Sequence, residues 1–187
     1  ASKLARLGLA LANITHKVVG SDVLAGLSRI IRKVSGNQIP QWNPHFPKPA
    51  PSIDWKYEAK TNLSKVVYFP SCICQMMGPS EGSYTSHAEA VHKVLNRAGY
   101  QYIHPEGIEG MCCGVAFDSK GFPNQAKRKT EELKEALSKA SNNGKYPILC
   151  ETSPCVQRLN QELSELPIYD PVSFAGEFLI DQLELQQ

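Results

Sequence analysis

An α/β fold is what this sequence predicts: a four-stranded, mainly parallel sheet with helices on both faces, preceded by a helical connector. Three observations lead there. From residue 65 onward strand-like and helix-like segments alternate four times over about 120 residues, the pattern of βαβ units. The composition is that of an ordinary globular chain, 42% hydrophobic and 20% charged over 187 residues, which excludes a rod, a collagen-like chain and a disordered tail. All six cysteines fall at or just after the carboxyl ends of the predicted strands.

Two helices come first, over 4–16 and 22–35. In the second, Val23, Leu24, Leu27, Ile30, Ile31 and Val34 recur at helical spacing, with Arg29, Arg32 and Lys33 mostly off that stripe. Ser21 or Asp22 is placed to cap its start and Gly36 to end it. Residues 38–53 then hold Pro40, Pro44, Pro47, Pro49 and Pro51, with Trp42 and Phe46 as aromatic anchors. Such a segment is extended and stiff. The chain therefore divides into a connector (1–37), a Pro-rich linker (38–62) and a cysteine-rich domain (63–187).

Within the domain, 65–70 (KVVYFP) reads as a strand. A helix over 86–98 follows, with Ser86 and Glu89 spaced as a capping box and Gly99 as its stop. Tyr100 to His104 is the second strand, and Pro123 to Ser141 a long charged helix ending near Gly144. Tyr146 to Cys150 is the third strand, Ser153 to Leu163 a short helix, and Pro167 to Asp170 the fourth strand. Pro171 opens a last helix through Leu185.

The net charge of +2 is divided unevenly. Residues 1–60 carry nine Lys/Arg against three Asp/Glu, about +6, and the remainder eleven against fifteen, about −4. The balance gives no reason to expect nucleic acid as a partner. The basic arm suits an acidic partner or peripheral contact with an anionic membrane; a solvated helix face is the alternative reading. No apolar stretch approaches the roughly 20 residues of a membrane span, and no secretory signal is seen, so a cytoplasmic protein is expected, peripheral at most on the inner face of the membrane.

In an open α/β sheet the carboxyl ends of the strands share one edge, where ligands bind. Cys72 and Cys74, Cys112 and Cys113, and Cys150 and Cys155 thus gather on one rim. A disulfide framework fits poorly, because adjacent Cys112 and Cys113 cannot pair without strain. Buried structural thiols explain one or two cysteines, not six. A thiolate metal site explains the set. Ser153 as N-cap with Pro154 next would place Cys155 in a first helical turn, where the helix dipole favours a thiolate. Gly114 would let the backbone turn tightly against sulfur or a cluster, and Lys120 would offset thiolate charge. Ligands from three separate loops suit an iron–sulfur cluster better than zinc, which usually sits in short CxxC knuckles; zinc stays open. His104, Asp118 and Glu151 lie on the same rim, and for His104 a hydrogen-bonded structural role is the simpler reading.

Cys72, then Cys112-Cys113-Gly114 after 39 intervening residues, then a downstream cysteine resembles the CCG, or cysteine-rich, domain. That domain is found in heterodisulfide reductases, in iron–sulfur proteins of glycolate, lactate and anaerobic glycerol-3-phosphate oxidation, and at the C-terminus of FAD-linked D-lactate dehydrogenases. VVYFPSC (66–72), MMGP (76–79), CCGVAFDSKGF (112–122), TSPC (152–155) and YDPVSF (169–174) most resemble the last group. The resemblance implies a C-terminal piece of a FAD-linked 2-hydroxy-acid oxidoreductase. Its FAD and ferredoxin-type clusters would lie outside this chain, and electrons would run towards a quinone or cytochrome. It implies an iron–sulfur cluster, 4Fe-4S in type, on Cys72, Cys112, Cys113 and Cys155, with Gly114, Lys120 and Ser153 around it and Cys74 and Cys150 in reserve. By itself the fragment would relay electrons and not catalyse. The sequence departs from the heterodisulfide reductase pattern at Thr152, where a closing CxxC would have cysteine, so the five-thiolate cluster of that group is not expected.

Overall fold

The computed structural model describes residues 2–43, 45–51, 63–79 and 85–181. Residues 52–62 of the Pro-rich linker and 182–185 of the last expected helix lie outside these. The chain divides into two compact units: residues 1–51 with 76–86, and residues 52–75 with 87–187.

In the first unit, α1 (Ser2–Val19) and α2 (Ser21–Val34) pack together. The expected side-chain cap on α2 is not made: Gly20 occupies the N-cap position at φ 82 and Ser21 is already helical. Of the apolar stripe on α2 only Leu24 is buried; Val23, Leu27, Ile30, Ile31 and Val34 are exposed, as are Leu4, Leu7, Leu11 and Ile14 on α1. The proline-rich chain after α2 turns at Asn43, whose carbonyl accepts from the Phe46 amide at 2.9 Å. Its amide at Trp42 donates to Ser28 Oγ, and Trp42 stacks on Phe46 with ring centroids 5.6 Å apart. Pro49 forms an antiparallel bridge with Met77.

The second unit is an α/β domain. Its strands are β1 (Ser64–Tyr68), β2 (Tyr100–Ile103), β3 (Ile148–Leu149) and β4 (Ile168–Tyr169). Among the described residues they form one all-parallel sheet in the order β2-β1-β3-β4. The helices are α3 (Cys72–Met76), α4 (His87–Arg97), α5 (Val115–Asp118), α6 (Pro123–Ala140), α7 (Ser153–Glu162) and α8 (Pro171–Phe174), the last continued by a π-helical turn over Ala175–Leu179. Asp170 caps α8 by accepting from the amides of Val172 and Ser173.

Alternation along β1 builds both layers. Val67 and the following Phe69 join Ile148 and Ile168 under Leu133 and Leu137 of α6 and Val156 and Leu159 of α7. Val66 and Tyr68 join Leu149 under Ala88 and Leu95 of α4 and Phe174 of α8. Val66 and Val67 are fully buried, as expected for a central strand covered on both faces. The β1-to-β2 crossover runs over one face, and the next two, through α6 and α7, over the other. Right-handed crossovers require this face change when the direction across the sheet reverses.

Two elements absent from the sequence expectation are short: α3 directly after β1, and α5 directly after the Cys-Cys-Gly run. Four or five residues are too few to show a helical period. Among the described residues no helix is long and apolar enough to cross a membrane.

On the Tyr68 side, His92 and His104 form a half-buried pair. His104 Nδ1 lies 3.0 Å from the Tyr68 carbonyl, so it carries the proton. Its Nε2 then accepts from His92 Nε2, 3.1 Å away, and His92 stacks flat on Tyr102. Burial lowers both rings to about 4; the proximity of the two rings adds to this at His104, while Glu89 opposes it at His92. His104 is thus a structural hydrogen-bonding residue. Because the folded pKa values lie below the unfolded value near 6.5, the unfolded chain binds more protons between those limits. Stability should therefore fall by roughly 1–3 kcal/mol as the pH drops from about 6.5 to about 4, after allowance for partial exposure. His92→Gln should flatten that slope, as read from urea midpoints across the range.

Candidate metal centre

The reversal of strand order at β1 and β3 makes a crevice beyond their carboxyl ends, because the chain leaves the two strands towards opposite faces. The loop after β1 enters α3 with Cys72 at its first position, and the loop after β3 enters α7 with Cys155 in its first turn. Cys112 and Cys113 arrive on the loop between β2 and α5. Cys113 and Cys155 Sγ lie 2.8 Å apart, and Cys72 and Cys112 Sγ 3.9 Å apart. All six cysteines are free thiols. Cys150, fully buried at the end of β3, lies against Cys155. Cys74 turns elsewhere, towards Ser71, Glu151 and Thr152.

The four thiols do not share charge equally. Hydrogen bonds from Cys113 and Cys72 pull Cys112 far below the usual thiol range; the Gly114 amide, 3.4 Å from its sulfur, and the charge of Lys129 add to this. Cys112 in turn pushes Cys72 and Cys113 up. At Cys155 a hydrogen bond with Cys113 pulls down, but Cys150, burial and Cys112 outweigh it and raise the thiol to about 12. Neighbouring sulfurs thus work against the thiolate expected at Cys155 from the helix dipole and favour one at Cys112. Four converging sulfurs, with a thiolate favoured at Cys112, are a donor set that a soft cation would let ionise further. The residues therefore fit a thiolate-bound metal or iron–sulfur centre. The 3.9 Å separation also matches the roughly 3.8 Å expected for two thiolates on one tetrahedral ion. The Cys113 and Cys155 sulfurs stand closer still, at 2.8 Å.

Several supports were not visible in sequence. Cys113 O accepts from Thr130 Oγ1 at 3.0 Å and from Arg158 Nε at 3.1 Å, and Arg158 Nη1 pairs with Asp118 at 2.9 Å. Arg158 thereby ties α7 to the Cys-Cys-Gly loop and α5. A single arginine on a charged helix carries no local signal for this. Lys120 is exposed, and the lysine whose charge bears on Cys112 is Lys129 on α6. Ser153 is the exposed first residue of α7 and not its N-cap. Thr152 holds that position, and its hydroxyl bonds to Ser71 Oγ at 2.8 Å, joining the loops after β1 and β3 instead of capping the helix. Glu151 accepts from the Ser71 amide at 2.7 Å and serves the same junction.

A family model described as the CCG cysteine-rich domain matches residues 66–160, just over half of the chain. No curated protein and no solved structure gives a significant match.

Gly114 shows how little freedom the loop has. Its φ is +92, and a Cβ there would lie 2.6 Å from Ala126 O. Gly114→Ala should cost about 2–4 kcal/mol through backbone strain and overlap with α6, measured by urea unfolding of the metal-free protein.

Proposed function

Because the chain belongs to the CCG cysteine-rich domain family, we propose that its four-sulfur rim holds an iron–sulfur cluster and that the domain passes electrons within a larger oxidoreductase. The observation that carries this reading is the convergence of Cys72, Cys112, Cys113 and Cys155 from three loops at one crevice. When bound, such a cluster supplies a reversible one-electron store. The protein's own residues hold and tune it. Four sulfurs ligate, the Gly114 amide donates to Cys112, and Lys129 offsets thiolate charge. Burial of Cys113 and Cys155 keeps water from that side.

The finer reading is that of a C-terminal domain of a FAD-linked 2-hydroxy-acid oxidoreductase of D-lactate or glycolate type. Electrons would come from a flavin and ferredoxin-type clusters outside this chain and leave towards a quinone or cytochrome. This rests on the runs VVYFPSC, CCGVAFDSKGF and TSPC. The basic residues of 1–60, with the exposed apolar side chains of α1 and α2, support peripheral contact with an anionic membrane near such an acceptor. Zinc bound as a structural ion is the second reading, favoured by the Cys72–Cys112 spacing alone.

Anaerobic reconstitution with ferrous iron and sulfide should give a brown protein with bound iron and sulfide and a dithionite-dependent EPR signal. Cys72→Ser and Cys112→Ser, both at half-buried positions, should lose most of the iron while keeping the far-ultraviolet circular dichroism of the parent. A colourless protein that takes up zinc and no iron would overturn the cluster. Separately, the protein should co-sediment with vesicles rich in anionic lipid, and binding should fall several-fold between about 0.05 M and about 0.5 M salt.

A further inference from the structure

Cys74, His87 and Glu151 come from three different places in the second unit: α3, the first residue of α4, and the turn after β3. One sulfur, one imidazole nitrogen and one carboxylate oxygen from them all lie within 4.8 Å of one another. They face away from the four-sulfur group for a simple geometric reason. Cys72 and Cys74 are two residues apart on α3, about 200° around its axis. Cys150 and Glu151 follow the end of β3, where successive side chains point to opposite faces. Cys72 and Cys150 therefore lie with Cys112, Cys113 and Cys155, while Cys74 and Glu151 lie on the face of Tyr68.

Glu151 is the informative residue. Its Oε1 is held by the amide and hydroxyl of Ser71, at 2.7 and 3.1 Å. Its Oε2 is buried and makes no well-formed hydrogen bond; the Tyr68 hydroxyl, which also lacks one, bears on it. A buried carboxylate oxygen without a strong partner favours a ligand that supplies one. The carboxylate is thus held firmly at one oxygen and only loosely met at the other, beside a thiol and an imidazole.

We propose that Cys74, His87 and Glu151 bind a divalent ion of the zinc type, at a site separate from the four-sulfur centre. A sulfur ligand disfavours magnesium and calcium, whereas zinc accepts thiolate, imidazole and carboxylate together at about 2.0–2.3 Å. Ligand atoms on one such tetrahedral ion are roughly 3.3–3.8 Å apart, which fits within the observed spread. Binding replaces the Cys74 S–H bond with a sulfur–metal bond and releases one proton to solvent. The thiolate and carboxylate then balance the ion's two charges. Three protein ligands leave a fourth position open, and the exposed His87 leaves the site reachable from solvent. The ion ties α3 and the turn after β3 to the start of α4, and so braces the loops that carry Cys72 and Cys155.

The test uses the full chain, reconstituted anaerobically with iron and sulfide, desalted, and titrated with Zn2+ against a chromophoric chelator. One equivalent of Zn2+ should bind beyond the iron content. His87→Ala and Glu151→Gln should each weaken it at least tenfold, with iron content and circular dichroism unchanged; loss of outer-shell partners alone costs ten- to a hundredfold. The glutamine keeps an acceptor for Ser71, so the loop junction survives. Co2+ in place of Zn2+ should show charge-transfer absorption of a single thiolate, absent in Cys74→Ser. If the four-sulfur group takes up no iron, the same titration on the Cys72→Ser/Cys112→Ser double variant still reads this site, so the two readings fail independently. Zinc uptake that is unchanged in His87→Ala and Glu151→Gln, or abolished by the double variant alone, would overturn the proposal, as would no uptake at all.

Discussion

Strand order reverses between β1 and β3, and from that single topological fact the placement of every candidate ligand follows. A parallel sheet in the order β2-β1-β3-β4 sends the chain out of its two central strands to opposite faces. A crevice at their carboxyl ends results, and with it a place where loops 80 residues apart in sequence must meet. Hydrogen bonds seal that meeting: the Ser71 amide and hydroxyl to Glu151, and the Thr152 hydroxyl to Ser71. These bonds hold the chain segments bearing Cys72 and Cys155 together through groups that are not themselves sulfur ligands. The scaffold of the centre is therefore distinct from its donor set.

Much of the fold was legible because its signals are periodic. Alternation at 65–70 and the apolar spacing of the long helices report burial directly, and a central strand buried on both faces reads as a short apolar run. The gathering of cysteines followed from strand ends alone. What could not be read is of two kinds. Short helices such as α3 and α5 have no period, so the opposed directions of Cys72 and Cys74 were hidden. The electrostatic partners were hidden too. Lys120 is near Cys113 in sequence, but Lys129 is the lysine whose charge bears on Cys112, because α6 returns past the loop. The misplaced cap has the same origin. Ser153 has the right chemistry for an N-cap, but its neighbour Thr152 takes the position and commits its hydroxyl to another loop.

Charge is the second organising feature. Four thiols brought close together oppose one another's ionisation, and their neighbours favour a thiolate at Cys112 while pushing Cys72, Cys113 and Cys155 up. A thiolate at Cys112 is favoured by the neighbouring thiols of Cys113 and Cys72, by the Gly114 amide within reach of its sulfur, and by the charge of Lys129. The glycine is fixed there by both its positive φ and the lack of space against Ala126. The Cys-Cys-Gly run is thus a unit: two adjacent donors, and a residue without a side chain whose amide reaches the sulfur of the first.

The same parity that gathers one set of ligands must eject their neighbours. A strand end and a one-turn helix each present alternate residues to opposite sides, so any chain that aims Cys72 and Cys150 at one face aims Cys74 and Glu151 at the other. On most proteins those ejected positions would be filled by apolar or solvated side chains. Here they are a thiol and a carboxylate with a buried oxygen that makes no well-formed hydrogen bond, and α4 adds an imidazole within reach. A carboxylate held firmly at only one oxygen gains from a stronger partner at the other. A cation would supply one at the point where the loops after β1 and β3 are already stitched together, and it would stiffen the four-sulfur centre from behind without contributing a ligand to it.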